Sequence, residues 1–147
     1  MNTHTNQVPQ LPQMDVSGSD LKFEYGFNSV NGIVKKKYYL SEIPFMHDKC
    51  DVWQILPVVY VRQFTGFTDK KGVEIYEGDI CKLHKNTRNW LISYHFEVRF
   101  KNGAFYAYWE REMMGKLEEH WDLLSQKDMR NIRVVSTVYA VMTSKIN

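Results

Sequence analysis

The chain has 147 residues and a formal net charge of +2, with 44% hydrophobic and 24% charged residues. These proportions are those of a soluble, core-forming chain and exclude a long disordered protein or a coiled coil. The net charge is smaller than that of a dedicated nucleic-acid-binding protein. No apolar run reaches the roughly 20 residues that a membrane-spanning helix needs. The many β-branched and aromatic residues favour strands.

Residues 1–20 are polar, contain Pro9, Pro12 and Gly18, and hold few large apolar side chains. Such a stretch buries too little surface to offset its ordering entropy, so we predict a flexible arm, free or docked on a neighbouring subunit. It lacks the basic and apolar regions of a signal peptide, and the two cysteines form no CxxC motif. We therefore expect a cytoplasmic protein with reduced thiols, whose residues 21–147 form one β-rich domain.

Strand-like segments and turn signals alternate through the first half of this domain. Residues 21–27 alternate in polarity, and Asn31-Gly32 is a tight-turn pair that returns the chain through residues 33–40 as a hairpin. Residues 41–54 are irregular, and residues 58–64 form a strand. Further along, residues 68–72 make a polar turn, and Glu77-Gly78-Asp79 predicts a sharp corner before the strand at residues 80–83.

Asn102-Gly103 is the strongest local signal, predicting a two-residue turn between strands at residues 96–101 and 104–109. Lys101 then lies opposite Ala104. One face of this hairpin is core, and the other is a solvated face or a contact surface. The core face carries Phe96, Val98, Phe100, Phe105, Ala107 and Trp109, and the other carries Glu97, Arg99, Lys101, Tyr106 and Tyr108.

Residues 110–124 place Met113, Leu117, Trp121 and Leu124 at helical spacing, which predicts an amphipathic helix that Gly115 weakens. Residues 132–142 follow as a last β-branched strand. The predicted fold is therefore mainly β (β-rich α+β): a small SH3-like barrel or a strongly twisted antiparallel sheet with one covering helix.

Residues 62–80 read RQFTGFTDKKGVEIYEGDI. This stretch resembles the hallmark of the YopX family of phage and prophage proteins: an aromatic residue before Thr-Gly, then Asp-Lys, Gly, a charged pair and Ile-Tyr-Glu-Gly-Asp. Weaker similarity to the family's opening and closing strands extends the resemblance over residues 21–142. It implies a β-rich fold with an SH3-like barrel component, encoded in a phage or prophage, and it supplies no activity; the expected cytoplasm is then that of the host cell.

The signature residues are those of a strand, a turn and a Gly-Asp corner, which favours a structural role, with a shared binding surface as the alternative. They are Thr65, Gly66, Asp69, Gly72, Ile75, Tyr76, Glu77, Gly78 and Asp79.

No catalytic, cofactor or metal motif is present, so we expect neither enzymatic activity nor a cofactor. Glu74, Glu77 and Asp79 could act as acid and base or hold Mg²⁺, but turn and capping roles suit them better. His47-x-x-Cys50 with Cys81-x-x-His84 resembles zinc-ligand spacing, but residues 81 and 84 of a strand point to opposite faces. A nucleophilic cysteine activated by His84 or His95 is a further possibility, but no known catalytic motif surrounds either cysteine.

Basic residues next to aromatic residues form a possible binding surface, which could contact the phosphates and bases of a nucleic acid. The alternative is that these residues are solvated strand edges, where lysine discourages edge-to-edge aggregation. Its members are Lys35, Lys36, Lys37, Lys82, Lys85, Arg88, Trp90, Arg99, Lys101, Tyr106 and Tyr108.

The function hypothesis that follows is a non-enzymatic phage or prophage accessory protein that binds a protein partner, with a second copy of itself as one candidate. The alternative is a nucleic-acid-binding module with an SH3-like barrel. Hydrolysis through Glu74, Glu77 and Asp79 is the weakest hypothesis.

Overall fold

The computed structural model describes residues 21–49 and 51–140. The predicted arm at residues 1–20, Cys50 and residues 141–147 lie outside the described residues. The elements are β1 (Lys22–Ser29), β2 (Gly32–Tyr39), α1 (Ile43–Lys49), α2 (Asp51–Ile55), β3 (Val58–Thr68), β4 (Glu74–Tyr76), β5 (Asp79–Asn86), β6 (Leu91–Lys101), β7 (Ala104–Met113), β8 (Lys116–Leu123), two 3₁₀ turns (Leu124–Gln126 and Met129–Asn131) and β9 (Ile132–Thr137).

The strands form two antiparallel sheets, which confirms the mainly β fold class. The first sheet has the order β2-β1-β3-β4, and the second has the order β8-β7-β6-β5-β9. The predicted barrel is not formed, because the described strands do not close on themselves. Instead, two outermost strands carry charge, through Lys35–Lys37 on β2 and through Glu118 and Glu119 on β8, which discourages edge-to-edge pairing.

The turn at Asn102-Gly103 confirms the predicted hairpin and its register. Both residues have positive φ, 50° and 81°, and Lys101 lies opposite Ala104. Pairing of β6 with β7 ends at Glu97 and Tyr108, so the predicted pair of Phe96 with Trp109 does not form. The β1–β2 hairpin also forms, but its turn is shifted by one residue. Ser29 pairs with Gly32, and its hydroxyl accepts from the Asn31 N–H and donates to the Gly32 carbonyl.

The covering helix predicted at residues 110–124 is wrong. The end of β7 and all of β8 occupy this stretch, joined by a turn in which Met114 and Gly115 have φ of 53° and 73°. Two consecutive residues with positive φ reverse the chain into a hairpin. The four-residue spacing of Met113, Leu117 and Trp121 therefore does not come from a helix. Residues 41–54, predicted as irregular, contain the short helix α1 and all but the last residue of α2.

The segment from β3 to β4 covers the inner face of the second sheet in place of the predicted helix. Ile75 is fully buried against Cys81, Val98 and Ala107, and Phe67 packs beside them. Leu124 and Met129 of the 3₁₀ turns complete this core.

The first sheet packs its own aromatic cluster against α2. The ring centroids of Tyr25, Phe27 and Tyr38 lie 4.8, 5.8 and 5.6 Å from that of Trp53. Within the described ranges, every helix is too short or too polar to cross a membrane.

Candidate functional site

The segment that contains the Gly-Asp corner connects the two sheets through backbone hydrogen bonds. The Gly78 N–H donates to the Val98 carbonyl at 2.8 Å, and the Glu77 N–H donates to the Gln63 carbonyl at 2.9 Å. The Gly78 carbonyl in turn accepts from the Val138 N–H at 2.8 Å. Gly78 has a φ of 84°, so the corner requires a residue that is free to adopt this conformation.

The Asp69 side chain closes the turn between β3 and β4 and anchors β9. One carboxylate oxygen accepts from the N–H groups of Lys71 and Val73, at 2.8 and 2.9 Å, and the other accepts from the Val134 N–H at 3.0 Å. Burial raises the pKa of Asp69, but these three backbone donors outweigh it and leave the pKa below its ordinary value. Thr65 supports the same segment, since its hydroxyl donates to the Ile75 carbonyl at 2.7 Å.

A buried ionic cluster links β1, β3 and β5. The side chains of Glu24, Arg62 and Asp79 belong to residues that are 4%, 8% and 3% exposed. Arg62 donates through Nε to Glu24 at 3.0 Å and through Nη1 to Asp79. The Tyr60 hydroxyl donates to Glu24 at 3.0 Å, and the Tyr76 N–H donates to Asp79 at 2.8 Å. Each buried charge therefore has an opposite charge and further hydrogen bonds, the condition under which such a cluster is tolerated.

Burial sets the acid–base behaviour of this cluster. It raises the pKa of Asp79 above its ordinary value in spite of the Arg62 guanidinium and the Tyr76 N–H. It also raises the pKa of Tyr60 and of Tyr76, each of which lies near a carboxylate. The Arg62 guanidinium lies 4.9 Å from the centroid of the Tyr76 ring and is held as a cation by its carboxylate partners.

Two of the three carboxylates considered as a reaction centre, Glu74 and Asp79, have different ion-pair partners. Glu74 pairs with Lys22 and with Lys37, the latter at 3.1 Å, whereas Asp79 pairs with Arg62. No group of three His, Cys, Asp or Glu side chains in residues 21–49 and 51–140 is arranged to hold a metal ion. The Cys81 side chain is fully buried, which raises its pKa to about 12, while His84 is exposed on the other face of β5.

The outer face of the second sheet, opposite its core, carries cations stacked on aromatic rings. The Arg99 guanidinium lies 3.6 Å from the Tyr108 ring centroid, and the Lys101 ammonium lies 4.6 Å from that of Trp121. Trp121 also contacts Tyr106 and Tyr108, at centroid distances of 6.0 and 4.7 Å. Sequence reasoning grouped Arg99, Lys101, Tyr106 and Tyr108 correctly but missed Trp121, because it assigned residue 121 to a helix.

The remaining cations of the predicted surface are dispersed. Lys35–Lys37 lie on β2 in the first sheet, where Lys37 is engaged with Glu74. Lys82 is on the outer face of the second sheet, Lys85 is three residues further along the same strand, and Arg88 and Trp90 are in the β5–β6 turn. The structure therefore divides the predicted surface into separate regions.

Two hairpin turns expose apolar side chains at the end of the second sheet opposite Asn102-Gly103. We call these two turns the hairpin end, and its exposed members are Trp90, Leu91, Ile92, Met113, Met114 and Leu117. Trp90 is 68% exposed, and Thr87 hydrogen-bonds to both its N–H and its carbonyl. Met114 is 99% exposed.

A cleft of about 350 Å³ lies beside the point where β6 and β7 stop pairing. Its lining includes His95, Glu97, Tyr108 and Glu110.

Together these features define a β-rich protein of two antiparallel sheets, in which the Thr-Gly to Gly-Asp segment and a buried ionic cluster join the sheets. The chain belongs to the YopX family: the family model described as YopX protein matches residues 18–141. This match confirms the resemblance seen in residues 62–80. Searches of curated proteins and of solved structures found no match.

Proposed function

We propose that the protein is a non-enzymatic accessory protein of a phage or prophage, acting in the host cytoplasm, and that its hairpin end binds a protein partner. The observation that carries this proposal is Met114. A methionine occupies a turn position with φ of 53°, and almost all of its surface is open to solvent. Neither local backbone preference nor burial in this chain favours methionine at that position.

The other hairpin of the same sheet provides the comparison. Asn102-Gly103 adopts the same pair of positive φ angles with the residues that this turn prefers. Met114-Gly115 keeps the glycine but replaces the favoured Asn by a flexible apolar side chain of the kind enriched at protein interfaces. A contact made by this side chain in a complex supplies a reason for its presence.

The β5–β6 turn adds a second apolar group at the same end of the sheet. Trp90 lies in the β5–β6 turn, where the Thr87 side chain hydrogen-bonds to its backbone, and Leu91 and Ile92 follow it; all three side chains are exposed. Rigid, exposed aromatic side chains are frequent anchors of protein interfaces. The partner is another protein, and a second copy of this chain is one candidate.

The test compares capture by the wild-type chain with capture by Trp90→Ser/Leu91→Ser/Met114→Asn. Both tagged proteins are used as bait in lysate of the host that carries the phage or prophage, and light scattering measures self-association. A matched control, Val30→Ser/Ile55→Ser/Val73→Ser, removes three exposed apolar side chains elsewhere. We expect the first variant to lose a captured protein or the dimer and the control to keep it. Equal retention by both variants would contradict the proposal.

A further inference from the structure

Three basic residues lie side by side across the outer face of the second sheet. On β5, Lys82 is directly opposite Arg133 of β9 on one side and His95 of β6 on the other. Like charges in directly opposed positions of antiparallel strands destabilise a sheet. The pair of Lys82 and Arg133 therefore costs stability unless an anion lies between or above the two side chains.

The described part of the chain provides no such anion. Lys70, Lys82, His84 and Arg133 all lack an ion-pair partner among residues 21–49 and 51–140. Asp69 is next to Lys70 in sequence, but its carboxylate accepts from three backbone N–H groups. The described residues thus leave these basic side chains available to an anion that they do not themselves supply.

These side chains surround a cleft of about 180 Å³. Its lining residues are Lys70, Lys82, His84, Asn131 and Arg133, each with a hydrogen-bond donor in its side chain and none with a carboxylate. The backbone beneath the cleft is fixed, since the Lys70 N–H donates to the Ile132 carbonyl at 3.0 Å and the Asn131 N–H donates to the Asp128 carbonyl at 3.0 Å. The cleft therefore offers converging donors and positive charge on an ordered frame.

We propose that this cleft binds a backbone phosphate of single-stranded nucleic acid. Lys82 and His84 alternate along β5 with the core residues Cys81 and Leu83, so they share the outer face with Trp121 and Tyr106, whose rings are partly exposed. Three strand spacings separate β5 from β8, about 14 Å, a distance that a few nucleotides span. Phosphate held at one side of the face and bases stacked at the other is the arrangement of many single-strand binders. This activity goes beyond the protein contact proposed at the hairpin end and uses different residues.

The test measures fluorescence anisotropy of a labelled oligothymidylate of about 15 nucleotides at about 50 mM salt and above. Lys82→Gln/Arg133→Gln removes the opposed cations. Arg111→Gln/Lys116→Gln is the matched control, because it removes the same charge from exposed positions on β7 and β8. We expect the cleft variant to bind about tenfold more weakly, with the slope of log affinity against log salt reduced by about 0.7 to 1.4, and the control to change less than about twofold.

Two further measurements separate the outcomes. Thermal unfolding of the cleft variant should occur at or above the wild-type temperature, since a repulsion has been removed, and added inorganic phosphate should stabilise the wild type more than the variant. Absence of oligonucleotide binding by the wild type at low salt would overturn the proposal, as would equal weakening of both variants. Competition by polyglutamate as effective as that by unlabelled oligonucleotide would also overturn it, because the cleft would then serve an acidic polypeptide.

Discussion

Charged side chains are paired at the junction between the sheets but not across the whole outer face of the second sheet. We use junction for the buried cluster of Glu24, Arg62 and Asp79 and the segment from β3 to the Gly-Asp corner. At the junction, Glu24, Arg62 and Asp79 are buried and each has a partner of opposite charge. On the outer side, Lys82 lies opposite Arg133, and at the hairpin end Met114 is almost fully exposed. The junction residues thus hold the fold together, whereas we expect the outer residues to cost stability. Substitutions in the two regions should consequently differ in sign.

The largest effect is expected from Arg62→Met. This substitution leaves the Glu24 and Asp79 carboxylates buried without their cation, which should lower the free energy of unfolding by about 3–5 kcal/mol. Urea denaturation followed by circular dichroism measures the change. Arg130→Met is the control, because Arg130 forms an exposed ion pair with Asp128, whose loss should cost far less stability. Equal losses in the two variants would remove the distinction between junction and surface.

Gly78→Ala should have the next largest effect. A Cβ at this position would lie 2.7 Å from a Tyr139 ring carbon, and the backbone φ of 84° disfavours any side chain. Strain and overpacking together should destabilise the protein by about 2–4 kcal/mol. Gly103→Ala has a similar φ of 81° but open space around its Cβ, so it should cost only about 1–2 kcal/mol. If both alanines cost the same in thermal or urea unfolding, the contact of the corner with Tyr139 contributes nothing.

Asp69→Asn tests the junction through pH. The three backbone donors hold the pKa of Asp69 below its ordinary value of 3.8 against the effect of burial. The ionised carboxylate therefore stabilises the fold above that value, and the contribution is lost as pH falls through the folded-state pKa. We expect the variant to be about 1–3 kcal/mol less stable at neutral pH and to lose less stability on acidification. Parallel stability profiles for variant and wild type between neutral and acidic pH would contradict this role.

Asp79 opposes this acid response in the wild type. Burial raises its pKa, so the folded chain takes up this proton before the unfolded chain does as pH falls. Its stabilising contribution is thus present at low pH and lost as pH rises through the folded-state pKa. The two carboxylates of one signature segment consequently shift stability in opposite directions.

The smallest effect, and the one of opposite sign, is expected from Met114→Asn. Asn accepts a positive φ more readily than Met, so the free energy of unfolding should rise by about 0.5 kcal/mol. The matched substitution Asn102→Met places the same side chain in the corresponding turn and should lower it by a similar amount. Thermal unfolding of the two variants measures both changes. Destabilisation by Met114→Asn would mean that Met114 packs within its own chain.

Sequence patterns identified the elements whose determinants are local. Asn102-Gly103 predicted both the hairpin and the pairing of Lys101 with Ala104, because two residues with positive φ impose that register. The pattern of residues 62–80 likewise indicated the family, since it lies within one continuous stretch of the sequence. Met114-Gly115 gave no such signal: Met is a good helix former, and its apolar neighbours are spaced four apart.

The β-rich class, the family and the turns with specialised residues follow from the amino-acid sequence alone, because each depends on neighbours in the chain. Three other features arise only when the sheets assemble: residues 116–123 join a sheet, Arg62 contacts Glu24 and Asp79, and Lys82 lies opposite Arg133. These last contacts join positions 38, 17 and 51 residues apart. Their energies depend on burial and on strand register, which exist only once the sheets have assembled.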